Sequence, residues 1–298
     1  MNQQPTLIVI TGPTGVGKTA TAIAVAKALG TDISSADSRQ IYREIPIGTA
    51  APTAEQMAAV PHHFVQFKNL DEYYSAAQFE DDVMQLLPRL FNSSAYAVMC
   101  GGSMMYVDAV CRGIDDIPTI SPEIRNHLME RYERDGIESL RISLLGYDPE
   151  YYRMVDLNNH RRIIHALEIC LQAGVPYSSL RTGDAKKRPF EIVKIALNMP
   201  REQLFDRINR RVDAMMLEGL EQEARKVYPL RHLNSLNTVG FKEMFAYFDG
   251  TLSRDTAIER IKKNTRVYAK KQLTWFAKDS QIIWCEPSAD AVASIIRF

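Results

Sequence analysis

The sequence predicts an α/β fold: a P-loop, doubly wound, mainly parallel sheet with a helical insertion domain and a helical C-terminal region. Three observations lead there. Residues Gly12-Pro13-Thr14-Gly15-Val16-Gly17-Lys18-Thr19 spell G-x-x-x-x-G-K-[ST], set between an apolar run and a helical stretch. Short apolar runs alternate with helical patterns, as in βαβ units. Some 80 residues of helical pattern then lie between the helix after Gly102 and the strand at Ile192, far more than a βα connection needs.

Taken in order, the run 7–10 reads as a buried strand feeding the loop, and 20–29 as the helix after it, stopped by Gly30. Ile33-Ser34-Ser35 is a short second strand ending at Asp37-Ser38. Ser75-x-x-Gln78 is a capping box that starts a helix running towards Leu90. Residues 96–100 form a buried strand ending in Gly101-Gly102, with a helix from Ser103. Within the long helical stretch, 122–134 and 159–173 are amphipathic, and Gly174 caps the second. Residues 192–197 return to strand, 201–278 are helical with breaks at Pro229, Gly240 and Asp249-Gly250, and 281–284 are a last strand. The resulting division is a P-loop core over 1–114, a helical insertion over 115–190, and a return to the core with C-terminal helices over 191–298.

At 298 residues and 46% hydrophobic composition, the chain can bury a sizeable core. Cys100, Cys111, Cys170 and Cys285 are scattered without a C-x-x-C pair, which fits free thiols in a reducing compartment rather than structural zinc. With no charged leader region and no apolar run of membrane-spanning length, a cytoplasmic protein without a membrane partner is expected, acting as a monomer. Net charge is zero, but its distribution is uneven. Residues 32–100 hold nine Asp/Glu against four Lys/Arg, and 256–278 hold seven Lys/Arg against the single Glu259. Lys262, Arg266 and Lys270 are spaced i, i+4 along one helical face, a pattern that suits a nucleic-acid surface.

The loop carries the first chemistry. Its small residues let successive backbone N–H groups curl around an anion, and the helix behind adds its positive end. Lys18 brings a mobile charge to the outer phosphates, and the Thr19 hydroxyl suits a Mg²⁺ ligand shell. Asp37, just past a strand beside the loop strand, faces the ligand crevice of such a sheet as a general base or metal ligand, or else caps its own turn. The strand ending at Cys100 runs into Gly101-Gly102 without the carboxylate that P-loop NTPases use for metal. This weakens an ATPase reading and leaves room for another diphosphate.

Several motifs then occur in order: Gly12 to Thr19, Asp37-Ser38-x-Gln40-x-Tyr42, Ile47-Gly48-Thr49-Ala50, Pro61-His62-His63, Gly101-Gly102-Ser103-x-x-Tyr106, Val239-Gly240-Phe241-Lys242-Glu243 and Thr265-Arg266-x-x-Ala269-Lys270-x-Gln272-x-Thr274-Trp275. Together they resemble the bacterial tRNA dimethylallyltransferases, the tRNA isopentenyltransferase family, over nearly the whole chain. The resemblance implies that the loop Gly12, Pro13, Thr14, Gly15, Val16, Gly17, Lys18 and Thr19 binds dimethylallyl diphosphate with Mg²⁺ at Thr19. The prenyl group would go to N6 of the adenine immediately 3′ of the anticodon in tRNA. It further implies Asp37 as the base and Arg211, in the cluster Arg207-x-x-Arg210-Arg211, as a diphosphate ligand. Contacts to tRNA are implied for Asp37, Ser38, Arg39, Gln40, Ser103, Arg125, Arg161, Arg162, Ile163, Ile164, His165, Asn237, Thr238, Val239, Gly240, Phe241 and Lys242. The insertion would then grip the anticodon stem-loop, and the basic C-terminal helix would join it. The chain departs from the family pattern at Ala51, Asn237 and Lys242, where Lys, Arg and Arg are usual. Two other classes fit the loop alone: a small-molecule kinase, and an NTP-switched RNA-binding module without catalysis.

Overall fold

Six strands form one sheet in the order β3-β2-β4-β1-β5-β6, and every pairing in it is parallel. They are β1 (Thr6–Thr11), β2 (Ile33–Ser35), β3 (His62–His63), β4 (Tyr96–Cys100), β5 (Glu191–Leu197) and β6 (Ile283–Cys285). The computed structural model describes residues 4–118 and 120–296. Strand β1 is buried throughout, with Leu7 and Val9 facing one apolar cluster and Ile8 and Ile10 the other. This is the two-sided burial expected of a parallel sheet covered on both faces. The edge strand β3 was not anticipated, because two half-buried histidines carry no periodic signal.

Because β4 sits between β2 and β1, the C-terminal ends of these three strands open side by side. The loop from Gly12, the turn from Ala36 and the turn from Gly101 therefore converge at one edge of the sheet, where α/β folds bind ligands. The missing strand-end carboxylate has a steric reason. A Cβ at Gly101 would lie 2.1 Å from the Ala36 carbonyl oxygen, so the close approach of these two turns leaves no room for a side chain.

Local signals were mostly legible. Helix Lys18–Leu29 ends at Gly30, whose N–H returns to the carbonyls of Ala26 and Lys27. Helix Ala76–Phe91 starts at the Ser75/Gln78 capping box, with both reciprocal hydrogen bonds made. The C-terminal half runs through Arg201–Glu218, Leu220–Val227, Phe241–Phe248 and Arg254–Phe276, with one break at Gly219 that the sequence reading did not place.

The chain divides into two compact units, Met1–Cys111 with Arg188–Phe298, and Arg112–Lys187. The second unit is helical. Pro122–Tyr147 is broken at Gly136, Pro149–Met154 and Tyr177–Leu180 are short, and His160–Ala173 runs from the Asn159 cap to Gly174. Its own core gathers Leu128, Leu140, Leu144, Ile163, Ile164, Ala166 and Leu167. Among the described residues no helix is long and apolar enough to cross a membrane.

Candidate functional site

The loop after β1 is shaped by backbone constraints. Gly12 has φ 133°, and a Cβ there would meet the Leu197 carbonyl oxygen of β5 at 2.5 Å. Val16 is fully buried and anchors the loop in the apolar layer beneath. Lys18 Nζ donates to the carbonyls of Gly12 (3.0 Å) and Pro13 (2.9 Å), which holds the ammonium against the loop. Burial pushes this ammonium down to about 8, while Cys100 and Asp37 oppose the shift and Arg211 adds to it. A bound anion reverses the desolvation, so the site is prepared for one.

A cavity of about 720 Å³ opens over the loop, lined by Thr14, Gly15, Gly17, Lys18 and Thr19 together with Asp37, Gln40, Arg207 and Arg211. Gly12, Pro13 and Val16 shape the loop without lining that cavity. The arginine cluster splits: Arg207 and Arg211 point into the cavity, whereas Arg210 pairs outward with Asp206. Arg211 Nη1 donates to Thr14 Oγ1 at 3.3 Å, and burial lowers its guanidinium pKa against the pull of Asp37. Lys18, Arg207 and Arg211 thus gather at one loop of backbone amides, an arrangement suited to a diphosphate.

A second cavity, about 480 Å³, shares Thr14, Asp37, Thr49, Arg211 and Met215 with the first but contains neither Lys18 nor Thr19. Ser38, Arg39, Ser103, Asn237, Thr238, Val239, Gly240 and Lys242 line it. Hydrogen bonds fix its walls. Ser103 Oγ accepts from Ser38 N (2.7 Å), Arg39 Nη1 donates to the carbonyls of Asn234 and Ser235, and Gln40 Nε2 donates to those of Thr49 and Ala50. Gly240 N donates to Glu243 Oε2 (2.8 Å), which holds the turn before the helix in place.

Asp37 stands where the two cavities meet. Its Oδ1 accepts from Arg39 N at 3.0 Å, so the turn-capping role is real and orients the carboxylate. Oδ2 takes no hydrogen bond among the described residues, which leaves one oxygen for chemistry. Asp37 also lines a pocket of about 30 Å³ with Ser35 and Thr19. Two hydroxyls and one carboxylate are hard oxygen donors, and Mg²⁺ typically takes one or two carboxylates and completes its shell with phosphate and water. Among the described residues no group of three His, Cys, Asp or Glu forms a metal cage.

Other expected residues fall elsewhere. The side chains of Ile163, Ile164 and Phe241 are buried and pack in apolar clusters. Their motifs placed them correctly in sequence, but helical periodicity turns them inward. Arg161, Arg162 and His165, around those isoleucines, are exposed. Arg125 Nε donates to Glu168 Oε1 at 2.9 Å. Burial opposes ionisation of Glu168, but its interactions with His165 and Arg125 prevail and hold the carboxyl below its usual range. Of the stripe Lys262, Arg266 and Lys270, Lys262 pairs with Asp213 (2.8 Å) and Arg266 donates to Asn209, both on helix Arg201–Glu218. Lys270 lies beside the Phe205 ring and stays exposed.

With this geometry in place, comparison with known proteins identifies the relatives. The IPP transferase family model matches residues 40–279. The chain belongs to that family. A tRNA dimethylallyltransferase of Parabacteroides distasonis is 56% identical over 281 residues, 94% of each chain. The crystal structure of a tRNA isopentenylpyrophosphate transferase from Bacillus halodurans matches at 36% identity and a TM-score of 0.71, covering 99% of this chain and 96% of that one. A eukaryotic dimethylallyltransferase structure matches at 24% identity and a TM-score of 0.80, with 97% of this chain and 75% of that one covered, a likeness that speaks for the fold. The kinase and switch-module readings lose their ground at this point.

As an IPP transferase, the chain also has cleft residues that motif reading did not assign. Gln272 is buried; its Oε1 accepts from Thr14 N (2.8 Å) and its Nε2 donates to the Gly102 carbonyl (2.8 Å). One amide thereby ties the phosphate loop to the turn that carries Ser103. Glu223 accepts from Ile47 N (2.8 Å) and Gly48 N (2.7 Å), and so secures the wall that both cavities share at Thr49. Gln272 stands in the motif from Thr265 to Trp275, but the motif names no partner for it, and Glu223 is marked only as a polar residue in an amphipathic pattern.

Proposed function

We propose that the chain transfers the dimethylallyl group of dimethylallyl diphosphate to N6 of the adenine immediately 3′ of the anticodon in tRNA, releasing diphosphate. The observation that carries this reading is the pair of cavities joined at Asp37, of which only the first is lined by Lys18 and Thr19. The donor diphosphate lies over the loop amides, with Lys18, Arg207 and Arg211 around it. The acceptor adenine, extruded from the anticodon-loop stack, enters from the side of Asn237 and Lys242.

In the reaction the C1–O bond to diphosphate breaks and the C1–N6 bond forms, the electron pair leaving with the diphosphate. Lys18, Arg211 and the loop N–H groups stabilise that growing charge in place, without reorganisation. Asp37 accepts the proton that N6 loses as it becomes bonded to carbon. Mg²⁺, held by Thr19 with the phosphates, would neutralise the leaving group further. Ser38, Arg39, Gln40, Ser103, Asn237, Thr238, Val239, Gly240 and Lys242 contact the nucleotide around the target base. Arg125, Arg161, Arg162 and His165 contact the RNA from the helical unit. We take the chain to act as a monomer, in the cytoplasm.

The test is a transfer assay with unmodified anticodon stem-loop RNA, Mg²⁺ and dimethylallyl diphosphate, read by mass spectrometry of the digested nucleosides. A five-carbon adduct on the adenine 3′ of the anticodon is the expected product. An unmodified RNA, with a phosphoryl group moved from ATP to a small acceptor instead, overturns the reading.

A further inference from the structure

Helix Arg254–Phe276 turns one face towards the second cavity, through Ile261, Thr265 and Tyr268 at i, i+4 and i+7. Tyr268 is the aromatic side chain of that lining, and it is 38% exposed. Among the described residues its ring stacks on no other ring, unlike the paired aromatics of the core. The Tyr268 hydroxyl is pushed up to about 12, chiefly by burial and further by Asp37, with Arg39 opposing, so it stays neutral and close to the carboxylate. The rest of the wall is hydrogen-bonding: Ser103, Asn237 and Thr238 offer polar edges but no flat surface.

A base taken out of an RNA stack loses its neighbours' faces, and sites that accept such bases commonly replace them with an aromatic ring. We propose that Tyr268 is the platform on which the acceptor adenine stacks, holding its plane so that N6 points at Asp37. This rests on the acceptor reading of the second cavity. The ring supplies the face, Ser103 and the 237–238 backbone region supply the edges, and Asp37 lies where the exocyclic amine must arrive. Stacking tolerates loss of the hydroxyl but not of the ring, so Tyr268→Phe keeps the function and Tyr268→Ala loses it.

The experiment uses an anticodon stem-loop with 2-aminopurine in place of the target adenine, mixed with wild type, Tyr268→Phe and Tyr268→Ala, and the same variants in the transfer assay on natural RNA. Wild type and Tyr268→Phe are expected to give a weakly fluorescent, ring-stacked 2-aminopurine. Tyr268→Ala should give a signal several-fold brighter and a kcat/KM for RNA lower by roughly 5- to 100-fold. Binding of inorganic diphosphate should be the same in all three, which shows that the fold is intact. Equal fluorescence and equal kcat/KM for Tyr268→Ala and wild type overturn the stacking role while leaving the transferase reading standing. A wild type that binds the RNA and yields no prenyl adduct overturns that reading, and the stacking role with it.

Discussion

The donor half of the cleft takes five lining residues from one loop, 12–19, whereas the acceptor half is assembled from segments around residues 38, 48, 103, 239 and 268. The first recognises phosphate with backbone amides and fixed charge, chemistry that eight contiguous residues can supply. The second must match the shape and edges of a base, which needs walls from several directions. The lesson is about exposure as much as position. Lys18 faces ligand space from the loop and Arg211 from helix Arg201–Glu218, while the equally basic Lys262 and Arg266 help to dock one helix on another.

The sharpest test of this division is the residue between the halves. Asp37→Asn keeps shape and the cap to Arg39 but removes the base. Turnover should fall by roughly 10²–10⁴-fold, with diphosphate and RNA binding close to wild type in calorimetric titrations. Loss of both affinities instead would make Asp37 a structural residue of the turn.

Gly12→Ala should injure the donor half alone. The positive φ by itself costs about 1–3 kcal/mol for a residue with a Cβ, and the contact with Leu197 adds to it. Diphosphate should no longer raise the thermal midpoint, while the stem-loop RNA still binds. RNA binding lost in parallel would show that the halves do not separate.

Lys18 gives a pH signature to the same half. Its pKa of about 8 lies in the protein without an anion, and a bound anion raises it. Tight binding is therefore present below pH 8 and lost as pH rises through that value, by up to about tenfold per pH unit, with a proton taken up on binding near pH 8. Lys18→Arg, which does not titrate, should abolish the proton uptake measured by calorimetry in buffers of differing ionisation enthalpy.

The smallest effect is expected at the basic stripe. Lys262→Ala breaks a partly exposed pair with Asp213 and should cost about 0–1 kcal/mol in chemical denaturation. The salt dependence of RNA binding should not change, because no phosphate contact is removed. A salt slope reduced by about one would restore the stripe to the RNA surface.

Much of this protein was legible in its sequence, wherever a few neighbouring residues decide the outcome. The phosphate loop, the Ser75 capping box, the Gly30 and Gly174 helix ends and the apolar β1 all depend on interactions within a few residues or on simple burial. Motif order was enough to indicate the family and to single out Asp37. What tertiary structure alone decided is which faces remain open. Phe241, Ile163 and Ile164 stand among polar neighbours with the same implied role, yet their side chains lie in cores, and Lys262 and Arg266 are engaged in packing. The Gln272 bridge joins residues 258 and 170 positions apart in the chain, so no local pattern can announce it. Periodicity specifies that a helix has a buried side and where it lies. Only the partner that arrives from elsewhere in the chain determines which polar side chains are consumed in docking and which are left to meet a substrate.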